Sequence, residues 1–156
     1  PWEWHEPIFK RCEELGIIGF STPFDETAIE FLESLKVPCY KIASFENTDL
    51  PLIRRVAQTG KPMIISTGMA NICELDETVR ASREAGCQDL ILLKCTSTYP
   101  SSAENMLLII SCQKYHFILF YHTLILFRRC LFIIAEMSGN HNQSLERSLE
   151  IVEAAV

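Results

Sequence analysis

The sequence predicts a parallel α/β fold. Between residues 16 and 100, short β-branched runs alternate with longer amphipathic stretches, and the runs recur about every two dozen residues. Each run is nearly continuous in apolar residues, as in strands covered on both faces by helices. The 156 residues, 48% hydrophobic and 22% charged, are enough for a core and exclude wholesale disorder.

GIIGF (16–20) is the first expected strand. It leads to a helix in DETAIEFLESLK (25–36), where Ile29, Leu32 and Lys36 share a side, Ala28, Phe31 and Leu35 widen the apolar stripe, and Asp25 is the N-cap. CYKIA (39–43) is the second strand. Asp49 and Pro51 suit the opening of a helix in LPLIRRVAQ (50–58), which Gly60 stops. MIIST (63–67) is the third strand; Asn71, three residues before Glu74, caps a helix in ELDETVRASREAG (74–86) that Gly86 closes. DLILLKC (89–95) is the fourth strand. Residues 107–130 are aliphatic and aromatic without a clear period and carry no assignment. LFIIA (131–135) reads as a further strand, followed by a polar loop and a helix in QSLERSLEIVEAAV (143–156) with Leu145, Leu149 and Val152 on its buried stripe.

Composition excludes several functions. A net charge of −6 with no basic run argues against nucleic acid. Seven cysteines, an odd number with no CxxC pair, point to a reducing, cytoplasmic compartment. The first residues lack the pattern of a secretory signal, and a start without Met predicts a fragment. FILFYHTLILF (117–127) has 11 residues, short of the roughly 20 of a membrane span, and Arg128 and Arg129 follow it, so no membrane partner is expected. TGKP (59–62) is not a P-loop, and GxGxxG and HExxH are absent. Asn142-Gln143-Ser144 matches a glycosylation acceptor by accident, and His5, His116 and His122 have no metal-site spacing and read as structural.

Every apolar run ends in small polar or charged residues: Ser21, Thr22 and Pro23; Lys41, Ser44 and Glu46; Ser66, Thr67 and Gly68; Lys94, Thr96, Ser97 and Tyr99; Glu136, Ser138, Asn140 and His141. In parallel α/β folds the loops at the carboxyl ends of the strands converge on the ligand. Singly, such residues are usually turn formers or caps. Together, two lysines and several hydroxyls can cradle a phosphate or carboxylate, and a carboxylate such as Glu136 can move a proton.

PWEWH (1–5), STPF (21–24), KIASFE (41–46), STGM (66–69), KCTSTYP (94–100) and IAEMSGNHN (134–142) resemble the sialic acid synthase (N-acetylneuraminate synthase) family, KIASFE and KCTSTYP in the forms of its pseudaminic acid synthases. The resemblance covers residues 1 to about 107 and 131–156. It implies a TIM-type (β/α) barrel that condenses phosphoenolpyruvate with an open-chain amino sugar, here of the diacetamido-trideoxy-altrose type, with a divalent metal such as manganese or magnesium. The products are a nonulosonic acid and phosphate. By the same resemblance Lys41, Ser44, Ser66 and Ser97 hold the phosphate and carboxylate of phosphoenolpyruvate, Thr22 and Tyr99 lie near the substrates, Glu46 faces the sugar and Glu136 manages protons. Ser97 stands where sialic acid synthases have Asn.

The sequence also departs from that family. The IAE–NH motif, which opens the family's barrel, comes last here, so the strand order is expected to be permuted. Residues 1–106 match family strands three to six and 131–156 the first, in one domain. The second strand with its lysine, the seventh and eighth strands with their metal-binding histidines, and the antifreeze-like domain have no counterpart. The 156 residues fall short of the roughly 250 of such a barrel, so weak or no turnover is expected. Residues 107–130 either close the open sheet physically or expose an apolar patch. The alternatives are a non-catalytic remnant and a membrane-associated module built on 107–135. An unclosed sheet leaves edges for a homo-oligomer.

Overall fold

In the computed structural model, residues 1–94, 117–119, 125–126, 131–132, 137 and 141–156 are described. A single turn at Trp2–Trp4 enters α1 (His5–Glu14), a helix not expected from the sequence. Charge dominates this stretch and Pro7 lies within it, but proline is tolerated in a first turn, and the spacing of His5, Phe9 and Cys12 makes an inward stripe. Cys12 is buried, and Phe9 packs against the core.

GIIGF is not the strand the sequence predicts. Residues 17–20 join no ladder; Ser21 alone bridges in parallel to Tyr40, its carbonyl accepting from the Lys41 amide at 3.2 Å. The run is diverted to α1. Its Ile17 amide donates to the Cys12 carbonyl at 3.0 Å, and a Cβ on Gly19 would lie 3.1 Å from the Phe9 ring and 3.2 Å from Cys12 Sγ.

The next units follow the expected rhythm: α2 (Glu26–Ser34), β1 (Tyr40–Ile42), α3 (Leu50–Ala57), β2 (Met63–Ser66), α4 (Ile72–Glu84) and β3 (Leu90–Lys94). The Asp25 carboxylate accepts from the Ala28 amide at 2.8 Å, and Asp49 accepts from Leu52 at 3.1 Å, with Pro51 in the first turn of α3. Asn71 and Glu74 form the reciprocal capping box at the start of α4. Gly60 and Gly86 take positive φ (73° and 109°) just beyond α3 and α4, where a side chain would be strained.

β1, β2 and β3 pair in parallel in that order, and β4 (Phe117–Leu119) adds to the free side of β3 with Leu92 opposite Phe117. Part of the stretch that carried no assignment thus extends the sheet. β5 (Ile125–Leu126) and β6 (Leu131–Phe132) form a separate antiparallel pair. The described part of LFIIA is therefore a strand outside the parallel sheet. Only residues 127–130 separate β5 from β6, a link long enough for a hairpin and too short for a parallel crossover.

Alternation along the strands sorts the side chains. Tyr40, Ile42, Met63, Ile65 and Leu92 join Ile29 and Leu32 of α2, Ile53 and Val56 of α3 and Val79 of α4 in one core. Lys41, Ile64 and Ser66 take the opposite face, with Lys41 beside Ile64 and Ser66 beside Leu93. α5 (Leu145–Glu153), capped by the Ser144 hydroxyl, packs on α1. The Arg11 guanidinium bonds Glu153 at 2.7 and 3.1 Å, and the Trp4 ring meets the His141 ring edge-on at 5.6 Å. Among the described residues no helix is long and apolar enough to cross a membrane.

Candidate substrate site at the carboxyl ends of the strands

The parallel register brings the polar ends of successive strands to one end of the sheet. Thr22, half-buried, follows the Ser21 bridge; the Ser21 hydroxyl lies 3.4 Å from His5 Nε2, and the His5 ring packs edge-on against Phe9 and Phe31. Lys41 stands in β1, half-buried, on the sheet face that the helices leave. Ser66, 3% exposed, is the last residue of β2 on that same face.

Beyond β1 the chain turns tightly, the Glu46 amide donating to the Ala43 carbonyl at 3.2 Å and the Asp49 amide to the Glu46 carbonyl at 3.0 Å. This turn sets Ser44 against Gly68. Gly68 has φ of 44°, and a Cβ there would run into the Ser44 side chain, coming within 2.9 Å of its hydroxyl. Glu46 is half-buried, and its Oε2 is buried with no hydrogen-bond partner among the described residues. An acceptor held out of water and unpaired is costly unless something donates to it.

Asn47, absent from the sequence-based candidates, ties the two loops together. It is 1% exposed, and its amide donates to the Thr67 carbonyl at 2.8 Å and the Ser66 carbonyl at 3.2 Å. Its backbone carbonyl accepts from the Thr78 hydroxyl at 2.5 Å. Its side chain bonds backbone, so no motif signals it; the only cue is an amide residue directly after a site carboxylate.

The helix N-termini at this end carry side-chain caps. Asp25 and Asp49 each take an amide of the first turn of α2 and α3, and Asn71 takes two of α4, so side-chain caps compete with an incoming anion there. A phosphate or carboxylate here would be held by side chains, with Lys41 the cation and Ser44 and Ser66 the hydroxyls. The other polar group of β1 lies on the helix side, where the Tyr40 hydroxyl donates to Glu33 at 2.6 Å and Lys61 pairs with the same oxygen at 2.6 Å. Burial, then the bond to Glu33, pushes the Tyr40 phenol well up. Burial likewise raises the Cys39 thiol, which stays protonated and is no nucleophile.

Of the expected site residues, Lys41, Ser44, Glu46 and Ser66 lie on two adjacent strand ends and Thr22 on the segment bridged to them. Ser97, Tyr99 and Glu136 lie outside the described residues. No group of three His, Cys, Asp or Glu among the described residues could hold a metal ion. The donor set that a divalent metal needs is not found among them.

The lysine, hydroxyls and carboxylate at the strand ends of this parallel βα sheet are groups whose chemistry suits an anionic small molecule. The family is set by comparison: the NeuB family model matches residues 1–116, and the chain belongs to that family. It is 47% identical over 105 residues to the pseudaminic acid synthase of Helicobacter pylori and 44% identical over 106 residues to that of Campylobacter jejuni. These matches take in 67% and 68% of this chain and 31% of each relative, so the chain spans about a third of their length. The structure of the spore coat polysaccharide biosynthesis protein SpsE of Bacillus subtilis superposes with a TM-score of 0.63 at 36% identity, over 65% of this chain and 28% of that one. The N-acetylneuraminic acid synthetase of Leptospira borgpetersenii gives 0.63 at 28% identity, over 67% and 36%.

Proposed function

We propose that this chain carries part of the substrate site of a nonulosonic acid synthase of the pseudaminic acid type, and that it binds phosphoenolpyruvate. The observation that carries this reading is the meeting of Lys41, Ser44, Glu46 and Ser66 on two adjacent strand ends. The names of the two synthases support the product class.

In the whole reaction, the methylene carbon of phosphoenolpyruvate bonds to the aldehyde carbon of the sugar, and the aldehyde oxygen takes up a proton. Water adds to the oxocarbenium-like carbon left behind and loses a proton. The carbon–oxygen bond to phosphate then breaks as the new hydroxyl gives up its proton to the departing phosphate, leaving a 2-keto acid and inorganic phosphate. Lys41 offsets the charge of the phosphate or carboxylate, Ser44 and Ser66 orient it, and the Glu46 carboxylate accepts from a sugar hydroxyl or amide. Glu136 moves the protons. Turnover by this chain is weak or absent, and binding survives.

Isothermal titration with phosphoenolpyruvate, beside phosphate-release assays with manganese and the altrose-type sugar, tests this. Binding that Lys41→Ala weakens at least tenfold is expected, in line with a charge-assisted contact of roughly 1.5–3 kcal/mol. A folded chain that takes up no phosphoenolpyruvate, or binds it equally well without Lys41, would defeat the proposal. Sugar-dependent phosphate release at a rate typical of enzymes would overturn the prediction of weak turnover alone.

A further inference from the structure

The two loops that meet in the candidate site belong to different βα units, and the β1–β2 ladder that joins their strands ends at Ile42–Ile65, short of both turns. Asn47 joins them beyond it. It directly follows Glu46, is almost wholly buried, and places both amide hydrogens on carbonyls of the other loop, Ser66 at 3.2 Å and Thr67 at 2.8 Å. The third attachment, from the Thr78 hydroxyl to the Asn47 carbonyl, anchors the loop to α4, where Ser82 bonds the Thr78 carbonyl at 2.8 Å. On the far side of the same turn, Gly68 abuts Ser44.

We propose that Asn47 is a positioning residue, fixing the distance between the Glu46 carboxylate and the Ser66–Gly68 turn so that one substrate can touch both. This rests on the reading of the two loops as one substrate site. The side chain is suited to the task because an amide nitrogen has two donors at a fixed angle and no charge to desolvate. Aspartate has nearly the same shape but presents only acceptors to the Ser66 and Thr67 carbonyls, so Asn47→Asp removes both bonds and adds repulsion. Thr78→Val removes the third bond, taking the donor from the Asn47 backbone carbonyl while leaving both side-chain amide bonds of Asn47 in place.

The test measures amide hydrogen exchange of the intact chain and its affinity for phosphoenolpyruvate in wild type, Asn47→Asp and Thr78→Val, well below each unfolding midpoint. In Asn47→Asp, exchange should rise together in residues 44–48 and 66–70 while α1 stays protected, and affinity should fall about tenfold, as expected from two lost hydrogen bonds. Thr78→Val should do the same more weakly, and it serves if Asn47→Asp does not fold. Exchange that rises in only one loop overturns the proposal, as does unchanged affinity with both loops loosened. A wild-type chain that binds no phosphoenolpyruvate defeats the reading of the site; exchange then decides the coupling, and independent loops defeat that as well.

Discussion

Gly68 shows at the scale of one residue how closely the candidate site is packed. Its φ of 44° and its contact with Ser44 leave no room for even a methyl group. Gly68→Ala should cost about 2–3 kcal/mol, from the left-handed backbone and from the clash together. The measurement is urea unfolding in parallel with phosphoenolpyruvate titration, and loss of stability without loss of affinity would mean that the Ser44–Gly68 approach serves folding only. The sequence marks Lys41, Ser44, Glu46 and Ser66 as candidates because charged and hydroxyl side chains at strand ends are visible as residue types. Asn47 and the tight fit of Gly68 are invisible there, since both act through neighbours 19 or more residues away in the chain.

Elements whose causes are local match the sequence best. The caps of α2, α3 and α4 fall on Asp25, Asp49 and Asn71 as expected, because a cap needs only a short polar side chain and amides two or three residues on. Replacing Asn71 by Ala should lower stability by about 1 kcal/mol in thermal or denaturant unfolding. Glu33, at the end of α2, gives a pH-dependent test. Burial pushes its carboxyl up, but hydrogen bonds from Lys61 and Tyr40 and the Lys61 charge outweigh that, and the net shift is downward. A depressed carboxyl contributes stability that is present above its unfolded pKa and lost as pH falls through the folded value. The stability gap between wild type and Glu33→Gln should therefore be open at neutral pH and close in acid, only once the pH has fallen below the usual carboxylate range. A gap that persists in acid would assign the loss to packing rather than charge.

Across the whole molecule, one core joins α2, α3 and α4 to the helix-facing side of β1–β3. Ile53 sits within it, fully buried, and Ile53→Ala should cost about 2–5 kcal/mol with loss of cooperativity in a thermal melt. A smaller loss would show that the core collapses onto the gap. The joining of the chain's two ends is also a property of the whole. Arg11–Glu153 and Trp4–His141 tie α5 and the residue His141 before it to α1 and the turn that enters it, so the last described helix is held against the first.

The sequence by itself determined the parallel α/β class, the family, the helices from 26 to 84 with their caps, and the residue types gathered at the strand ends. These rest on period, capping and motif, all read within a few residues of one another. Only the tertiary structure decided that GIIGF gives up its ladder to close against α1, that Phe117–Leu119 extends the sheet, and that Leu131–Phe132 turns back antiparallel. It alone decided that Asn47 holds two loops at one spacing. Strand pairing and buried hydrogen bonds are settled by the partners available across the fold, and a linear sequence does not say which partners arrive.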